Sequence, residues 1–400
     1  MRILFLSPRQ CWPARSGAKL REYHFLHALA LRGEVTYLHF SDPGGATLKP
    51  TDLPFCHEVI GVPKPGAYGP RQIVQGLVGR WPLPILNYTS AEMSLAVDHL
   101  ADSRKFDLVH LDSIHMIRHG EALRRRGSSK IIYNWHNIES EAMRRYSETV
   151  ASQAKRWYAR RTAAKLSQLE QEILRTACGH VVCSQREREQ LQQIVPQARI
   201  AVVPNGVDTQ YFANAGVGST AKRDVIFVGS MDYYPNAEAA VSFSRSIWPV
   251  MQARMPDAQL LIVGANPGPD VMALGQLPGV RVTGTVPDVR PYYRDALAAI
   301  VPLRTGGGTR LKILEAMAAG VPVVSTPLGA EGLDLFPGRE ILIADPDDAP
   351  AWIGHLLDLA DPAGDTRRIL TTAALALAKT RYDWEILGQT LWATYQDWAK

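Results

Sequence analysis

Strand–helix alternation occurs twice along the chain, and this repetition restricts the fold more than any other feature. In the N-terminal half, residues 2–8 predict a short strand and residues 34–40 predict a second one. Residues 17–32 between them have helical spacing. This order is a βαβ unit, which requires a parallel sheet. The predicted inner face of the helix consists of Leu20, Tyr23, Leu26, His27, Ala30 and Leu31.

Further apolar segments extend both halves. Strands are predicted at 106–111, 130–135 and 180–183, with one long helix at 139–177. The alternation restarts after residues 214–222, a polar, glycine-containing segment typical of a connection between domains. The second series comprises strands at 224–230, 258–263, 280–286, 297–303 and 321–325 and helices at 236–255 and 311–319. Since 400 residues exceed one hydrophobic core, we expect an α/β protein with two Rossmann-like domains, their parallel sheets facing across a cleft.

Composition narrows the functional class. The hydrophobic content of 46% and the charged content of 21% are those of a soluble globular chain, which excludes wholesale disorder. No apolar stretch is long enough to span a membrane. The four cysteines form no metal-ligand pattern, and we find no export signal, so a cytoplasmic location is expected.

Positive charge is concentrated in the first half. Lys and Arg outnumber Asp and Glu by 28 to 18 in residues 1–200, whereas the net charge of the whole chain is only +5. The clusters at 124–126, 144–145 and 156–165 indicate a polyanionic partner, either nucleic acid or an anionic membrane surface. Residues 71–81 add an amphipathic segment that suits a membrane surface.

One loop carries the clearest binding signal. Three consecutive glycines, Gly306 to Gly308, allow the backbone to approach a bound group closely. The helix that follows presents amides to an anion. Arg310 and Lys312 place cations where phosphate charge would lie, and Glu315 can accept hydrogen bonds from sugar hydroxyls.

This segment, from Gly306 through the Glu315-Ala-Met-Ala-Ala-Gly-Val-Pro-Val-Val sequence, resembles the donor-binding signature of glycosyltransferase family 4. Residues 202–208, 227–230, 331–333 and the Ser16–Gly17 pair match other motifs of that family. Residues 229–236 are most similar to its exopolysaccharide- and exosortase-associated sugar transferases.

The resemblance implies a GT-B fold and a retaining hexosyltransferase that uses a nucleotide-sugar, with a uridine diphosphate sugar ahead of a guanosine diphosphate sugar. It implies no metal or other cofactor. The acceptor would be a glycan or a lipid-linked molecule of polysaccharide biosynthesis, which would place the protein in the cytoplasm or peripherally on the inner face of the membrane. The implied donor-binding residues are Gly17, Gly229, Ser230, Gly307, Gly308, Thr309, Arg310, Lys312 and Glu315.

The sequence departs from the family pattern in two places. Gly307 stands where the family has the first of two glutamates, and the loop at Ser230 lacks the usual Arg and Lys. We expect Arg310 and Lys312 to supply the missing charge for the pyrophosphate and to act with Glu315 as catalytic residues.

Polar residues also follow two strands of the N-terminal half. Asp112 and His136 directly follow the predicted strands at 106–111 and 130–135, where they would contact the transferred sugar or the acceptor. His110 and His115 are weaker candidates. Asp345 and Asp347 form a weak acidic pattern that predicts an exposed loop rather than a metal site.

The expected division is an acceptor-binding domain at 1–202, a nucleotide-sugar domain at 203–382 and a C-terminal helix at 383–400. In the family this helix returns to the first domain, and Asp383 would be its N-cap. Two alternatives stay open. One is a nucleotide-sugar epimerase or a phosphorylase on the same double fold, and the other is a non-catalytic polyanion-binding protein. No nucleic-acid motif accompanies the basic clusters, and no Gly-x-Gly-x-x-Gly follows the first strand, which disfavours a dehydrogenase.

Overall fold

The computed structural model describes residues 1–14, 16–42, 44, 48–66, 69–127, 130–213, 223–294, 296–306 and 310–400. The chain divides into two compact units. Unit 1 comprises Met1–Pro204 and Leu387–Lys400, and unit 2 comprises Asn205–Ile386. The expected division at 202/203 lies two residues before this boundary. The expected connection at 214–222 lies outside the described residues.

Unit 1 is built on a seven-stranded parallel sheet in the order β3-β2-β1-β4-β5-β6-β7. Its strands are β1 (Arg2–Ser7), β2 (Glu34–Ser41), β3 (Glu58–Pro63), β4 (Leu108–Leu111), β5 (Ile131–Asn134), β6 (Gly179–Val182) and β7 (Ile200–Val202). Strand β3 was not predicted, because this edge strand is largely half-buried and therefore lacks a clear apolar pattern.

Helices pack against this sheet through one apolar core. They are α1 (Gly17–Ala30), α2 (Pro70–Val78), α3 (Leu83–Leu86), α4 (Ala91–Ser103), α5 (Ile117–Arg125), α6 (Glu139–Thr149), α7 (Gln153–Thr176) and α8 (Gln185–Ile194). The single helix predicted at 139–177 is wrong. The chain breaks after Thr149, and Ser152 caps α7 by accepting a hydrogen bond from the backbone N–H of Lys155 at 3.5 Å.

The predicted inner face of α1 is also wrong in part. Of the six residues proposed, only Leu26 is fully buried, whereas Leu31 is 61% exposed. The buried face is instead formed by Arg21, Glu22, Phe25, Leu26, Ala28 and Leu29. Two charged residues on the inner face disguise the apolar periodicity, and both have buried polar partners described below.

Unit 2 is built on a six-stranded parallel sheet in the order β10-β9-β8-β11-β12-β13, with its own apolar core. Its strands are β8 (Asp224–Val228), β9 (Leu260–Val263), β10 (Val280–Gly284), β11 (Ala296–Val301), β12 (Val323–Ser325) and β13 (Leu342–Ile343). The helices from unit 2 onward are α9 (Thr209–Ala213), α10 (Tyr234–Ser246), α11 (Trp248–Arg254), α12 (Pro269–Met272), α13 (Arg290–Arg294), α14 (Leu311–Ala318), α15 (Ala349–Ala360), α16 (Thr366–Leu377) and α17 (Trp384–Trp398). The helix predicted at 236–255 is divided at Ile247, because Pro249 cannot continue the hydrogen-bond ladder.

Helix α17 has the apolar stripe expected of it. Asp383 precedes the helix and accepts a hydrogen bond from the backbone N–H of Glu385 at 2.8 Å, which confirms its capping role. The buried stripe consists of Trp384, Leu387, Leu391, Tyr395 and Trp398. A Cβ atom at Gly179 would lie 2.4 Å from the Trp398 ring, so the indole packs directly on β6 of unit 1.

Candidate functional site

Each sheet has one point at which the strand order reverses direction. In unit 1 this point lies between β1 and β4, and in unit 2 it lies between β8 and β11. In open parallel sheets the carboxyl ends of the two strands at such a point flank a crevice that binds ligands. Asp112 follows β4, and Gly229 follows β8, so sequence-predicted residues stand at both positions.

Lys312 is the central cation of the unit 2 site. It lies in the first turn of α14, and its Nζ donates a hydrogen bond to Asn236 Oδ1 at 2.7 Å. The same ammonium group lies 4.4 Å from the centroid of the Phe227 ring. Burial, followed by the nearby charge of Arg310, lowers the pKa of Lys312 to about 7.

Gly229 is required by this arrangement. A Cβ atom at this position would lie 2.8 Å from both Asn236 Nδ2 and Lys312 Nζ. Asn236 also donates from Nδ2 to the carbonyl oxygen of Ser230 at 2.8 Å, which fixes the loop that follows β8. The Ser230 hydroxyl donates to Asp232 Oδ1 at 2.6 Å. The loop therefore brings a backbone without a side chain against the Lys312 ammonium group.

Glu315 lies one turn after Lys312 and is half-buried. The buried Tyr293 hydroxyl donates to Glu315 Oε2 at 3.2 Å. Burial raises the pKa of Glu315, while Tyr293 and Lys312 oppose that effect. The carboxylate is thus oriented by a phenol and retains acceptor capacity for hydroxyl groups of a ligand.

The other residues predicted to bind the donor lie in several parts of the chain. Arg310 is only 5% exposed and immediately precedes α14. Gly17 is the first residue of α1, in unit 1. Gly307, Gly308 and Thr309 lie outside the described residues. Asp347 forms a two-bond ion pair with Arg304, at 2.7 and 2.9 Å, which occupies the acidic pattern at 345–347.

Asp112 is the centre of the unit 1 site and is fully buried. Its Oδ1 accepts a hydrogen bond from Asn134 Nδ2 at 2.6 Å, and its Oδ2 lies 2.8 Å from His136 Nε2. Burial opposes ionisation of Asp112, but His136 and His110 outweigh it, so the pKa of Asp112 lies well below its usual value. The carboxylate therefore stays charged and fixes the imidazole of His136.

Arg21 completes this network, and sequence reasoning missed it. The guanidinium is fully buried and donates two hydrogen bonds to Asn134 Oδ1, at 3.1 and 2.9 Å, and one to the carbonyl oxygen of Val203 at 2.7 Å. The only sequence signal for Arg21 was its position directly after Leu20, an apolar residue of the predicted helix at 17–32. Asn134 thus links a buried cation to the buried Asp112 carboxylate.

The three histidines near Asp112 have distinct environments. His136 retains 12% exposure of its side chain, so its ring is accessible from the sheet edge. His110 is fully buried, with Nδ1 2.6 Å from the Tyr395 hydroxyl of α17. His115 Nδ1 lies 2.6 Å from Ser113 Oγ. Burial, followed by the charge of Arg9, lowers the pKa of His115 to about 3, so this ring is neutral. Among these three rings, His136 is both hydrogen-bonded to Asp112 and partly exposed, whereas His110 is fully buried.

Unit 2 can hold an anion beside a hydroxyl-binding carboxylate, and unit 1 presents a carboxylate-oriented imidazole. Two known families match this chain, one in each half. The family described as Glycosyltransferase Family 4 matches residues 23–211, and the family described as Glycosyl transferases group 1 matches residues 222–361.

Curated relatives match over part of their length. Phosphatidyl-myo-inositol mannosyltransferase of Mycolicibacterium smegmatis is 30% identical over 201 residues, which cover 48% of this chain and 51% of the relative. D-inositol 3-phosphate glycosyltransferase of Acidothermus cellulolyticus is 28% identical over 220 residues, covering 50% and 48% of the two chains. The chain spans about half the length of the curated relatives it matches.

Solved structures resemble the whole chain. Sucrose-phosphate synthase from Thermosynechococcus elongatus superposes with a TM-score of 0.72 and 20% identity over 99% of both chains. Anabaena HepE, in complex with UDP and glucose, gives a TM-score of 0.66 and 17% identity over 99% of both chains. These similarities show the fold.

The chain therefore has the GT-B fold, and two glycosyltransferase family models match its two halves. Within that fold class, residues 23–211 are similar to Glycosyltransferase Family 4. In the part of the chain that the structure describes, no helix combines the length and apolar character needed to cross a membrane.

Proposed function

We propose that this protein is a retaining hexosyltransferase that moves a sugar from a nucleotide-sugar to a glycan or lipid-linked acceptor in polysaccharide biosynthesis. The observation that carries this proposal is the position of Lys312. Its ammonium group is held against Gly229 at the strand-order reversal of unit 2, and no carboxylate lies within 4 Å of it among the described residues. A diphosphate would supply the missing counter-charge.

The proposed chemistry follows from these groups. A nucleoside diphosphate leaves with developing negative charge, which Lys312 and Arg310 would stabilise without any bound metal. Glu315 would accept hydrogen bonds from paired hydroxyls of the donor and hold it in a reactive orientation. For the retaining reaction, the leaving phosphate would take the acceptor proton on the face from which the acceptor attacks, so no protein nucleophile is required.

The donor nucleotide is proposed to be uridine diphosphate, with guanosine diphosphate mannose as the second choice. HepE, which has the same fold, holds UDP and glucose. The similarity to a mannosyltransferase supports a mannosyl donor as the second choice.

In unit 1, His136 and Asp112 are proposed to contact the transferred sugar or the acceptor hydroxyl. Asp112 holds His136 Nε2 at 2.8 Å, so the imidazole presents its other nitrogen in a fixed orientation. The hydrogen bond also favours the charged imidazole, while burial lowers the pKa of His136. His136 could thus orient or polarise an acceptor hydroxyl.

We also propose that unit 1 binds peripherally to an anionic membrane. Helix α2 exposes Ile73, Val74 and Val78, the last by 73%, and Trp157 of α7 is 58% exposed. Lys165 donates to the carbonyl oxygens of Gly76, Leu77 and Gly79 near the end of α2, so basic residues border the apolar face. Apolar side chains beside cations suit an anionic lipid surface.

Vesicle sedimentation tests this membrane proposal. Binding should increase with the fraction of anionic lipid and decrease with salt, and Val78→Glu should abolish it. Val250→Glu, at an exposed valine of unit 2, is the matched control and should bind normally. Equal binding by both variants would exclude α2 as the contact surface.

Two measurements test the transferase proposal. A thermal-shift screen of nucleoside diphosphates and their sugars should identify the donor, because a ligand at 100 times its Kd stabilises the fold by about 2.7 kcal/mol. Proton NMR of the product formed from that donor should then show the donor's anomeric configuration. Inversion of configuration would contradict retention, and interconversion of the donor sugar without an acceptor would indicate an epimerase.

A further inference from the structure

We propose that the carboxyl edge of the unit 1 sheet binds a phosphate group of the acceptor between Arg9 and Lys64. This inference rests on the transferase function proposed above and specifies the acceptor as a phosphorylated molecule. Arg9 follows β1, at the strand-order reversal, and Lys64 follows β3 at the edge of the same sheet.

Arg9 has unused donor capacity. Its guanidinium makes no hydrogen bond to any described residue, and its only ion pair is a loose one, with Nε 3.9 Å from Glu22 Oε2. The Arg9 side chain is 28% exposed. Glu22 is a weak counter-ion, because burial and the nearby Asp112 raise its pKa well above the usual value, and Tyr37 already donates to its Oε1 at 2.6 Å.

Lys64 also lacks a carboxylate partner. Its Nζ donates to the Tyr88 hydroxyl at 3.3 Å and lies 4.4 Å from the centroid of the Tyr88 ring. No Asp or Glu among the described residues lies within 4 Å of this ammonium group. The phenol positions the cation and leaves its charge uncompensated.

His115 connects the two cations, Arg9 and Lys64. The Tyr88 and His115 ring centroids are 4.9 Å apart. After burial, the charges of Arg9, His136 and Lys64 each lower the pKa of His115, so the charges of Arg9 and Lys64 both act on this imidazole. Because β1 and β3 are two strands apart, about 10 Å at the usual spacing, the two long side chains can converge on one anion.

A phosphate fits these groups better than a neutral sugar does. Two cations without firm counter-ions favour a doubly charged anion, and arginine suits phosphate through its planar set of donors. The neutral imidazole of His115 and the Ser113 hydroxyl, 2.6 Å apart, add hydrogen-bonding groups without adding negative charge. Ser113 has the unusual backbone φ of 123°, a strain often found at functional positions.

Isothermal titration with inorganic phosphate, in the presence of saturating UDP to fill the unit 2 site, tests the proposal. Lys64→Gln should weaken phosphate binding by about tenfold, the value of one charge-assisted hydrogen bond. Arg9→Lys keeps the charge beside Glu22 and should weaken binding less. Lys105→Gln, at an exposed lysine of the same unit, is the control and should bind phosphate normally.

The source of the phosphate is decided by competition. A soluble acceptor predicts that glucose 1-phosphate displaces inorganic phosphate, and a lipid acceptor predicts displacement by vesicles containing polyprenyl phosphate. Either result supports the site, and displacement by neither overturns it. Unchanged phosphate binding in Lys64→Gln also overturns it. Loss of UDP binding in that variant would instead place Lys64 at the donor. If the wild-type protein bound phosphate through Lys64 but bound no nucleotide, the transferase proposal would be refuted and the phosphate site would stand.

Discussion

The polar residues at the two strand-order reversals differ in burial and in the number of their hydrogen-bond partners. In unit 1, Asp112, Asn134 and Arg21 are fully buried and satisfy one another through hydrogen bonds. In unit 2, Lys312 and Glu315 are half-buried, and each has a single side-chain hydrogen-bond partner, Asn236 and Tyr293 respectively. The first site is therefore organised before any ligand arrives, whereas the second keeps charge that a ligand would compensate.

This difference separates stability from function. Breaking a network of buried, mutually paired charges mainly destabilises the fold. Removing a charge that lacks a firm partner mainly affects ligand binding. Variants in the two units should therefore separate loss of stability from loss of ligand binding.

The largest effect is expected from Asp112→Ala in unit 1. Removing this carboxylate leaves the buried Asn134 amide and His136 without their acceptor and removes the anion nearest to the buried network of Arg21, which should lower the free energy of unfolding by about 3–5 kcal/mol. Urea denaturation measures the change. Asp98→Ala removes a half-exposed carboxylate paired with Arg126 and should cost less than about 1 kcal/mol. Equal costs for the two variants would show that the unit 1 network is not cooperative.

Glu315→Gln in unit 2 should lower activity rather than stability, in contrast to Asp112→Ala. The fold should be retained, because Tyr293 can still donate to the amide oxygen, but transfer should fall by more than about tenfold through loss of an ionised acceptor. Steady-state transfer assays and denaturation of the same protein provide both readouts. Glu385→Gln, an exposed residue of α17, should transfer normally. A purely structural Glu315 would instead lower stability and leave turnover of the folded fraction unchanged.

The lowered pKa of Lys312 predicts a pH dependence. Between about pH 7 and the ordinary lysine value, the unfolded chain binds more protons at this residue than the folded chain does. The free energy of unfolding should therefore rise with pH across that range, relative to Lys312→Met. Below about pH 7 the difference should be constant.

A diphosphate should return the proton to Lys312. UDP binding at pH 8 should therefore take up protons, and UDP affinity should fall by up to about tenfold per pH unit above 7. Titration calorimetry in two buffers with different ionisation enthalpies measures the uptake. Uptake of the same size in Lys312→Met would assign the proton to another group.

The smallest effect is expected from Tyr395→Phe. This variant removes only the hydroxyl that lies 2.6 Å from His110 Nδ1, so the free energy of unfolding should fall by about 1 kcal/mol. Tyr146→Phe, at an exposed tyrosine, is the control and should be neutral. A null result for Tyr395 would mean that packing alone holds α17 on unit 1.

The sequence allowed more of unit 2 than of unit 1 to be predicted. Most strands of unit 2 are short and apolar, β8 and β9 are each followed by glycine, and the loop before α14 combines glycines with cations, so most of the sheet and Lys312 were recognisable. Asp112 and His136 were found in unit 1 because strand ends are the places where polar residues can meet.

Buried charge explains most of what was missed. Arg21 and Glu22 lie on the inner face of α1, where a pattern of apolar residues is expected, and their partners Asn134 and Tyr37 are distant in sequence. Arg9 and Lys64 carry no local pattern at all. Their proposed role depends on the strand order, which places the carboxyl ends of β1 and β3 two strands apart on the same side of the sheet. No short stretch of sequence reveals that order.

The most direct test of the account is the affinity of Lys312→Gln for UDP compared with uridine. The wild-type protein should bind UDP at least about 100-fold more tightly than uridine, since the diphosphate gains charge-assisted hydrogen bonds. The variant should lose about tenfold or more of its UDP affinity and less than about twofold of its uridine affinity. Equal losses for the two ligands would show that Lys312 does not contact the diphosphate, and would contradict the donor site proposed for unit 2.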